Sequence, residues 1–67
     1  MKAPDQDSFS VLKQAHSTAA NWGESFIVFV SGLAVFQHES REVAQDVARC
    51  NAKRVGRDKV AVKRITV

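Results

Sequence analysis

Residues that cross-link small proteins are scarce in this sequence of 67 residues. It has one cysteine, so no disulfide forms within one copy, and no Cys and His stand at the spacing of a zinc site. A domain of this size buries only about 60% of the surface that its unfolded chain exposes. We therefore expect a partner, or a second copy in a homodimer, to contribute to the stability of the fold.

Long apolar runs are absent as well. The longest, over residues 26–36, is interrupted by Ser31 and Gly32, whereas a membrane-spanning helix needs about 20 apolar residues. The start of the chain carries Asp5 and Asp7 where a secretory signal is apolar. A single cysteine is compatible with a reducing compartment. These features predict a cytoplasmic protein without a membrane segment.

The side chains of common active sites are few and far apart. His16 falls on the apolar stripe of a predicted helix, which predicts a half-buried structural histidine rather than a ligand or base. Cys50 fits a small apolar residue at the edge of the core. His38 lies beside Glu39 at the end of a predicted strand, and adjacent residues of a strand point their side chains to opposite faces. The glycines are too dispersed for a phosphate-binding loop. We predict that the protein is not an enzyme, has no metal site and needs no cofactor.

What the sequence does contain is a succession of helical and extended patterns. The predicted elements, in chain order, are a helix over Ser8–Ala20, strands over Glu24–Val30 and Leu33–His38, a helix over Arg41–Arg54 and a strand over Lys59–Val67. Ser40 is a good N-cap for the second helix, and Gly56 suits its end. At the start of the first helix, the alternation over residues 9–14 leaves a strand as the alternative.

These elements predict one α+β domain over residues 1–67, with residues 1–6 frayed. The order is α-β-β-α-β, and no linker marks a second domain. An antiparallel sheet with the helices packed on it is the natural arrangement for this order.

The predicted hairpin has apolar residues on both faces. With a two-residue loop, one face pairs Val30 with Leu33, Val28 with Val35 and Phe26 with Gln37, and the other carries Ile27, Phe29, Ala34 and Phe36. An antiparallel sheet covered on one side alternates apolar and polar residues instead. In one arrangement the two helices cover opposite faces, or the first helix wraps around the hairpin. In the other, Ile27, Phe29 and Phe36 form an exposed patch that docks on a partner or a second copy.

Basic charge is concentrated in the second half of the chain. Residues 41–67 have a net charge of +5, whereas residues 1–40 have −2. The clustered basic residues are Arg49, Lys53, Arg54, Arg57, Lys59, Lys63 and Arg64. Such clustering is typical of a surface that binds phosphates or an acidic protein. The alternative interpretation is a solvated face whose bases complement the C-terminal end of a helix.

Two segments and a basic strand define the layout of the C-terminal part. They are the hairpin segment Ser31-Gly32-Leu33-Ala34-Val35-Phe36, the helix start Ser40-Arg41-Glu42-Val43-Ala44 and the basic closing strand. Over about residues 24–67, this layout resembles that of small phage-encoded accessory proteins, among them anti-CRISPR-type inhibitors. The resemblance implies a class of short proteins that occupy a surface on a host machine, often one that handles nucleic acid. It assigns no functional residue.

The leading functional hypothesis is a small regulator or inhibitor that docks on a host protein or nucleoprotein complex. The basic residues would bind acidic or phosphate groups, and Ile27, Phe29 and Phe36 would make apolar contacts. The alternative is direct, largely sequence-independent binding of DNA or RNA. The two differ in salt dependence, because contacts to phosphates weaken steeply as salt rises and apolar docking does not.

Overall fold

A computed structural model describes residues 8–67. Its elements, in chain order, are α1 (Ser8–Trp22), β1 (Glu24–Val30), β2 (Leu33–His38), α2 (Arg41–Val55), a short 3-10 helix (Arg57–Lys59) and β3 (Val60–Thr66). This order confirms the predicted α+β class and the α-β-β-α-β succession. The predicted fraying of residues 1–6 lies outside the described residues.

Residues 9–14 belong to helix α1, so the alternative prediction of a strand over these residues is wrong. The helix ends at Trp22 rather than Ala20. Gly23 then takes a φ of +90°, and its N–H donates to the carbonyl of Ala19 over 2.8 Å. A left-handed residue of this kind closes the last turn at little steric cost when it is glycine.

Helix α2 begins at Arg41 as predicted and ends at Val55, one residue beyond the predicted Arg54. The Ser40 hydroxyl accepts a hydrogen bond from the N–H of Val43, and the N–H of Gly56 donates to the carbonyl of Ala52. Gly56 has a φ of +105°, which favours glycine. The chain then turns through the 3-10 helix, so β3 begins at Val60 rather than at Lys59.

The three strands form one antiparallel sheet in the order β2-β1-β3. Strand β1 lies at the centre, and four consecutive residues of it, over 25–28, are buried. Strands β2 and β3 are therefore the two edges. The β1–β3 pairing runs without interruption from Glu24 opposite Thr66 to Val30 opposite Val60.

The hairpin turn lies where the sequence predicts it, but its register changes within β2. Ser31 and Gly32 have φ angles of +53° and +85°, typical of a type I′ turn. The pairs next to the turn are Val30 with Leu33 and Phe29 with Ala34; beyond a bulge they are Val28 with Phe36, Ile27 with Gln37 and Phe26 with His38. The predicted pairs of Val28 with Val35 and of Phe26 with Gln37 are therefore wrong. An unpaired extra residue in β2 moves all later side chains to the other face.

The two helices cover opposite faces of the sheet, and they bury Phe26, Ile27, Val28 and Ala34 of the hairpin within one copy. On one face, Ala15 of α1 packs with Ile27 and Ala34. On the other, Ala44 of α2 packs with Phe26 and Val28. Alanines at both contacts let the helix backbones approach the sheet closely. Of the arrangements that the sequence leaves open, the structure has the one with the helices on opposite faces, and the first helix does not wrap around the hairpin.

The predicted docking patch of Ile27, Phe29 and Phe36 is consequently wrong as an exposed surface. Ile27 is only 2% exposed and belongs to the core beneath α1. Phe29 is half-buried against the same cluster, while Phe36 is half-buried against the cluster beneath α2. The bulge separates the two phenylalanines, because it places Phe36 opposite Val28 and not on the face of Phe29.

Candidate basic docking surface

One flank of α2 carries a row of polar and basic side chains. The row consists of Arg41, Gln45, Arg49 and Lys53, which recur every four residues and are all exposed. Residues at this spacing lie on one face of a helix. The neighbouring flank holds Ala44, Val47 and Ala48 against the sheet. The packing of that apolar stripe therefore aims the row at the outer strand β3.

A groove opens between this row and the start of β3, and we call it the α2–β3 groove. It is lined by Gln45, Ala48, Arg49, Ala52, Lys53, Arg57 and Val60, and has a volume of about 750 Å³. Two alanines and Val60 form an apolar floor. Arg57, in the 3-10 helix that follows Gly56, adds a third cation to the rim. The groove thus combines three positive charges with a shallow apolar base.

The cations of the groove differ in how they are paired. The Arg49 guanidinium donates to a carboxylate oxygen of Asp46, three residues earlier on the same helix, and both side chains are well exposed. Within residues 8–67, Lys53 and Arg57 form no ion pair. Exposed pairs of the first kind are weak and exchange readily. All three cations can therefore meet an incoming anion.

The same boundary between α2 and β3 continues into a second, smaller groove. It has a volume of about 320 Å³ and is lined by Phe26, Arg41, Gln45, Val62 and Arg64. Gln45 belongs to both grooves. We call the two together the α2–β3 seam. Its five cations are Arg41, Arg49, Lys53, Arg57 and Arg64.

A second acidic side chain, besides Asp46, lies close to a cation of the seam. Glu24 approaches Arg64, with 3.9 Å between its Oε1 and the arginine Nη1. At that separation and exposure the attraction is largely screened by water.

The structure divides the seven basic residues that the sequence groups together. Arg49, Lys53, Arg57 and Arg64 meet in the seam. Arg54 lines neither groove, and its guanidinium donates to Oδ1 of Asn51 over 2.6 Å.

Lys59 and Lys63 lie near the other face of the sheet. They line a separate depression of about 690 Å³ together with Phe29 and Ala61. Strand alternation explains the separation of Lys63 from Arg64: Lys63 pairs with Ile27, on the α1 face, and Arg64 pairs with Phe26, on the α2 face.

Arg41 is the seam residue that the sequence reasoning left out. The signal was present, because Arg41 stands four residues before Gln45 and eight before Arg49. Arg41 counts toward the +5 of residues 41–67 but stands eight residues before Arg49, where the predicted basic cluster begins.

The histidines and the cysteine lie outside the seam. His16 and Cys50 are both exposed, so the predicted half-buried histidine and core-edge cysteine are wrong. Nδ1 of His38 accepts a hydrogen bond from the N–H of Ser40 over 2.9 Å and lies 3.7 Å from Oε1 of Glu39. This hydrogen bond holds the backbone at Ser40, the N-cap residue of α2.

Residues 8–67 contain neither a metal-binding cluster of side chains nor a helix that could span a membrane. No cluster of His, Cys, Asp and Glu side chains there has the grouping that a metal ion needs. Neither of the two helices in this part of the chain has the length and apolar character required to cross a membrane.

The fold and its seam define a three-stranded antiparallel sheet between two helices, with a cationic groove along one helix. No family model matches the chain, and comparisons with curated proteins and with solved structures find no match.

Proposed function

We propose that this protein is a non-enzymatic binding protein that docks on an acidic surface of a protein or nucleoprotein partner and thereby regulates or inhibits it. The observation that carries this proposal is the α2–β3 groove, where Arg49, Lys53 and Arg57 surround an apolar floor. Clustered cations attract acidic partners over long range and fix their orientation on contact.

A protein partner makes better use of this groove than a nucleic acid does. Its floor of Ala48, Ala52 and Val60 can receive an apolar side chain, which a phosphate backbone does not offer. Its lining includes no aromatic side chain on which a base could stack. The exposed aromatic residues Phe9 and Trp22 belong to α1, which packs on the other face of the sheet.

Direct binding of DNA or RNA is the second candidate. It is favoured by the length of the seam, where five cations follow the boundary between α2 and β3. Each contact between a basic side chain and a phosphate releases counterions from the nucleic acid. Affinity for DNA or RNA therefore falls steeply as the salt concentration rises. The predicted cytoplasmic location, the homodimer and the resemblance to phage accessory proteins stay predictions.

Charge reversal within the seam tests the proposal. The variant Arg49→Glu/Lys53→Glu/Arg57→Glu is compared with Lys13→Glu/Arg54→Glu/Lys59→Glu, which has the same change in formal charge but leaves both grooves unaltered. Circular dichroism verifies that each variant is folded. Fluorescence anisotropy then measures the binding of labelled polyglutamate and of a short DNA duplex, at about 50 mM and about 200 mM salt.

We expect the seam variant to lose at least about tenfold in affinity for polyglutamate, and the control variant to keep most of it. Equal losses in the two variants would mean that net charge alone drives binding, and the seam would have no special role. Binding of the duplex but not of polyglutamate, with a steep fall in higher salt, would establish the second candidate instead.

A further inference from the structure

The outer edge of β3 has open hydrogen-bonding groups at regular intervals. The β1–β3 ladder is framed by two backbone bonds: the N–H of Ser31 donates to the carbonyl of Lys59 over 2.7 Å, and the N–H of Val67 donates to the carbonyl of Gly23 over 3.4 Å. Because pairs alternate in an antiparallel ladder, residues 61, 63 and 65 bond to β1. The N–H and C=O groups of Val62, Arg64 and Thr66 therefore point away from the sheet.

These outward groups lack backbone partners in the described part of the chain. The N–H of Val60, the first residue of the strand, donates to the carbonyl of Arg57. From Val62 onward, no hydrogen bond to residues 8–67 uses the outward N–H and C=O groups. The edge is also regular, because the β1–β3 pairing contains no bulge.

The opposite edge of the sheet is less suited to adding a strand. In β2, the N–H of Ala34 points outward but is occupied, since it donates to the Ser8 hydroxyl over 3.0 Å. The bulge that leaves Val35 unpaired interrupts the same strand. A bulge twists an edge and disfavours further pairing. An incoming strand would find regular geometry at β3 only.

The charge along β3 indicates what kind of strand would pair there. Arg64 lies on the α2 face and Lys63 on the α1 face, and both side chains are exposed. A second copy that paired through the same edge would bring these cations close to their own counterparts, which is unfavourable. An acidic segment would be attracted from both faces of the sheet.

We propose that an extended acidic segment of the partner pairs with the outer edge of β3 as a fourth strand. Its backbone would bond to Val62 and Arg64. Side chains on one of its faces would enter the α2–β3 seam, and those on the other would approach Lys63. Such strand addition gives affinity through the backbone and specificity through alternate side chains. This inference rests on the proposed function, since it names the form of the acidic partner that the seam binds.

Alternate N-methylation of a peptide separates strand pairing from simple charge attraction. The probe is a labelled peptide of about eight residues that alternates glutamate with valine, which is long enough to pair with all of β3. Two derivatives carry N-methyl groups on the odd-numbered or on the even-numbered amides. Both keep the charge and the side chains, but each loses the N–H donors along one edge only.

We expect the parent peptide to bind, and one derivative to bind about as well. The other derivative should lose roughly tenfold or more in affinity, because its methylated edge must face β3. Amide hydrogen exchange of the isotope-labelled protein should slow at Val62 and Arg64 when the parent peptide binds. The α2 amides serve as the internal control, and their exchange should change little.

Several outcomes would overturn the inference, and they are distinguishable from failure of the proposed function. If both derivatives bind as the parent does, or if exchange at Val62 and Arg64 is unchanged, the acidic segment docks without strand pairing. If polyglutamate binds through the seam but none of the three peptides does, strand pairing is wrong while acidic docking stands. If polyglutamate does not bind either, the proposed function fails as well.

Discussion

The hydroxyl of Ser8, the first residue of α1, accepts a hydrogen bond from the backbone N–H of Ala34 in the edge strand β2, over 3.0 Å. The contact joins residues that are 26 positions apart. It covers a donor that would otherwise face water at an open edge, and it holds the start of the helix against the sheet. Covering of this kind is one way in which proteins protect edge strands.

Replacement of Ser8 by alanine should therefore destabilise the protein. We expect a loss of about 1 kcal/mol in the free energy of unfolding, the usual value for one part-buried hydrogen bond. Urea denaturation measures it. Ser17→Ala, at an exposed position of the same helix, is the control and should be neutral or slightly stabilising. Equal effects of the two substitutions would mean that the contact with Ala34 adds nothing.

Truncation of Ile27 tests its assignment to the core. This side chain is 2% exposed and packs with Ala15 and Ala34, so Ile27→Ala should cost about 2–5 kcal/mol in the free energy of unfolding. Val35, the unpaired residue at the bulge, is 47% exposed, and Val35→Ala should change that free energy by no more than about 0.5 kcal/mol. If Ile27→Ala changed the free energy of unfolding only slightly, Ile27 would not belong to the core and could be an exposed docking residue.

The type I′ turn predicts opposite effects at its two central residues. Ser31 has a φ of +53°, a conformation that asparagine adopts more readily, so Ser31→Asn should stabilise the protein by about 0.5 kcal/mol. A Cβ at Gly32 would meet nothing within 4 Å, so Gly32→Ala creates no steric clash. It should lower the free energy of unfolding by about 1–2 kcal/mol, because alanine disfavours the left-handed backbone conformation. Thermal unfolding of both variants checks the two signs. Destabilisation by Ser31→Asn would contradict this turn type.

Removal of the acidic partner of Arg49 should strengthen docking. Asp46→Asn abolishes the ion pair beside the α2–β3 groove and frees the guanidinium, so affinity for polyglutamate should rise about two- to fivefold. Glu39→Gln makes the same change in net charge outside both grooves, next to His38. It should raise the affinity much less. Equal gains would show that the charge near the groove acts only through the net charge of the protein.

The cap at the start of α2, the glycine at its end and the hairpin turn were predictable because their causes are local. Ser40 caps the N–H of a residue three positions away, and Gly56 closes a turn that begins at Ala52. The hairpin turn likewise depends on the left-handed conformations of Ser31 and Gly32. Each of these features depends on residues that lie within a few positions of one another, so a short stretch of sequence is enough to predict it.

The register and the face of each strand residue were not predictable in the same way. A two-residue loop is compatible with Val35 opposite Val28, yet in the fold Phe36 takes that position and packs beneath α2. The bulge that allows this depends on packing between segments far apart in the chain. The same packing buries Ile27, which the sequence alone left open as an exposed docking residue.

By itself, the sequence determined the order of the elements, the ends of the elements to within about two residues, and the excess of basic residues after residue 40. Only the tertiary structure decided which of those bases meet. Strand alternation sends Lys63 and Arg64 to opposite faces, and the placement of β3 beside α2 brings Arg57 to Lys53. The physical reason is the range of the interactions: propensity and capping act within one turn, whereas sheet order and helix packing are set by contacts between distant residues.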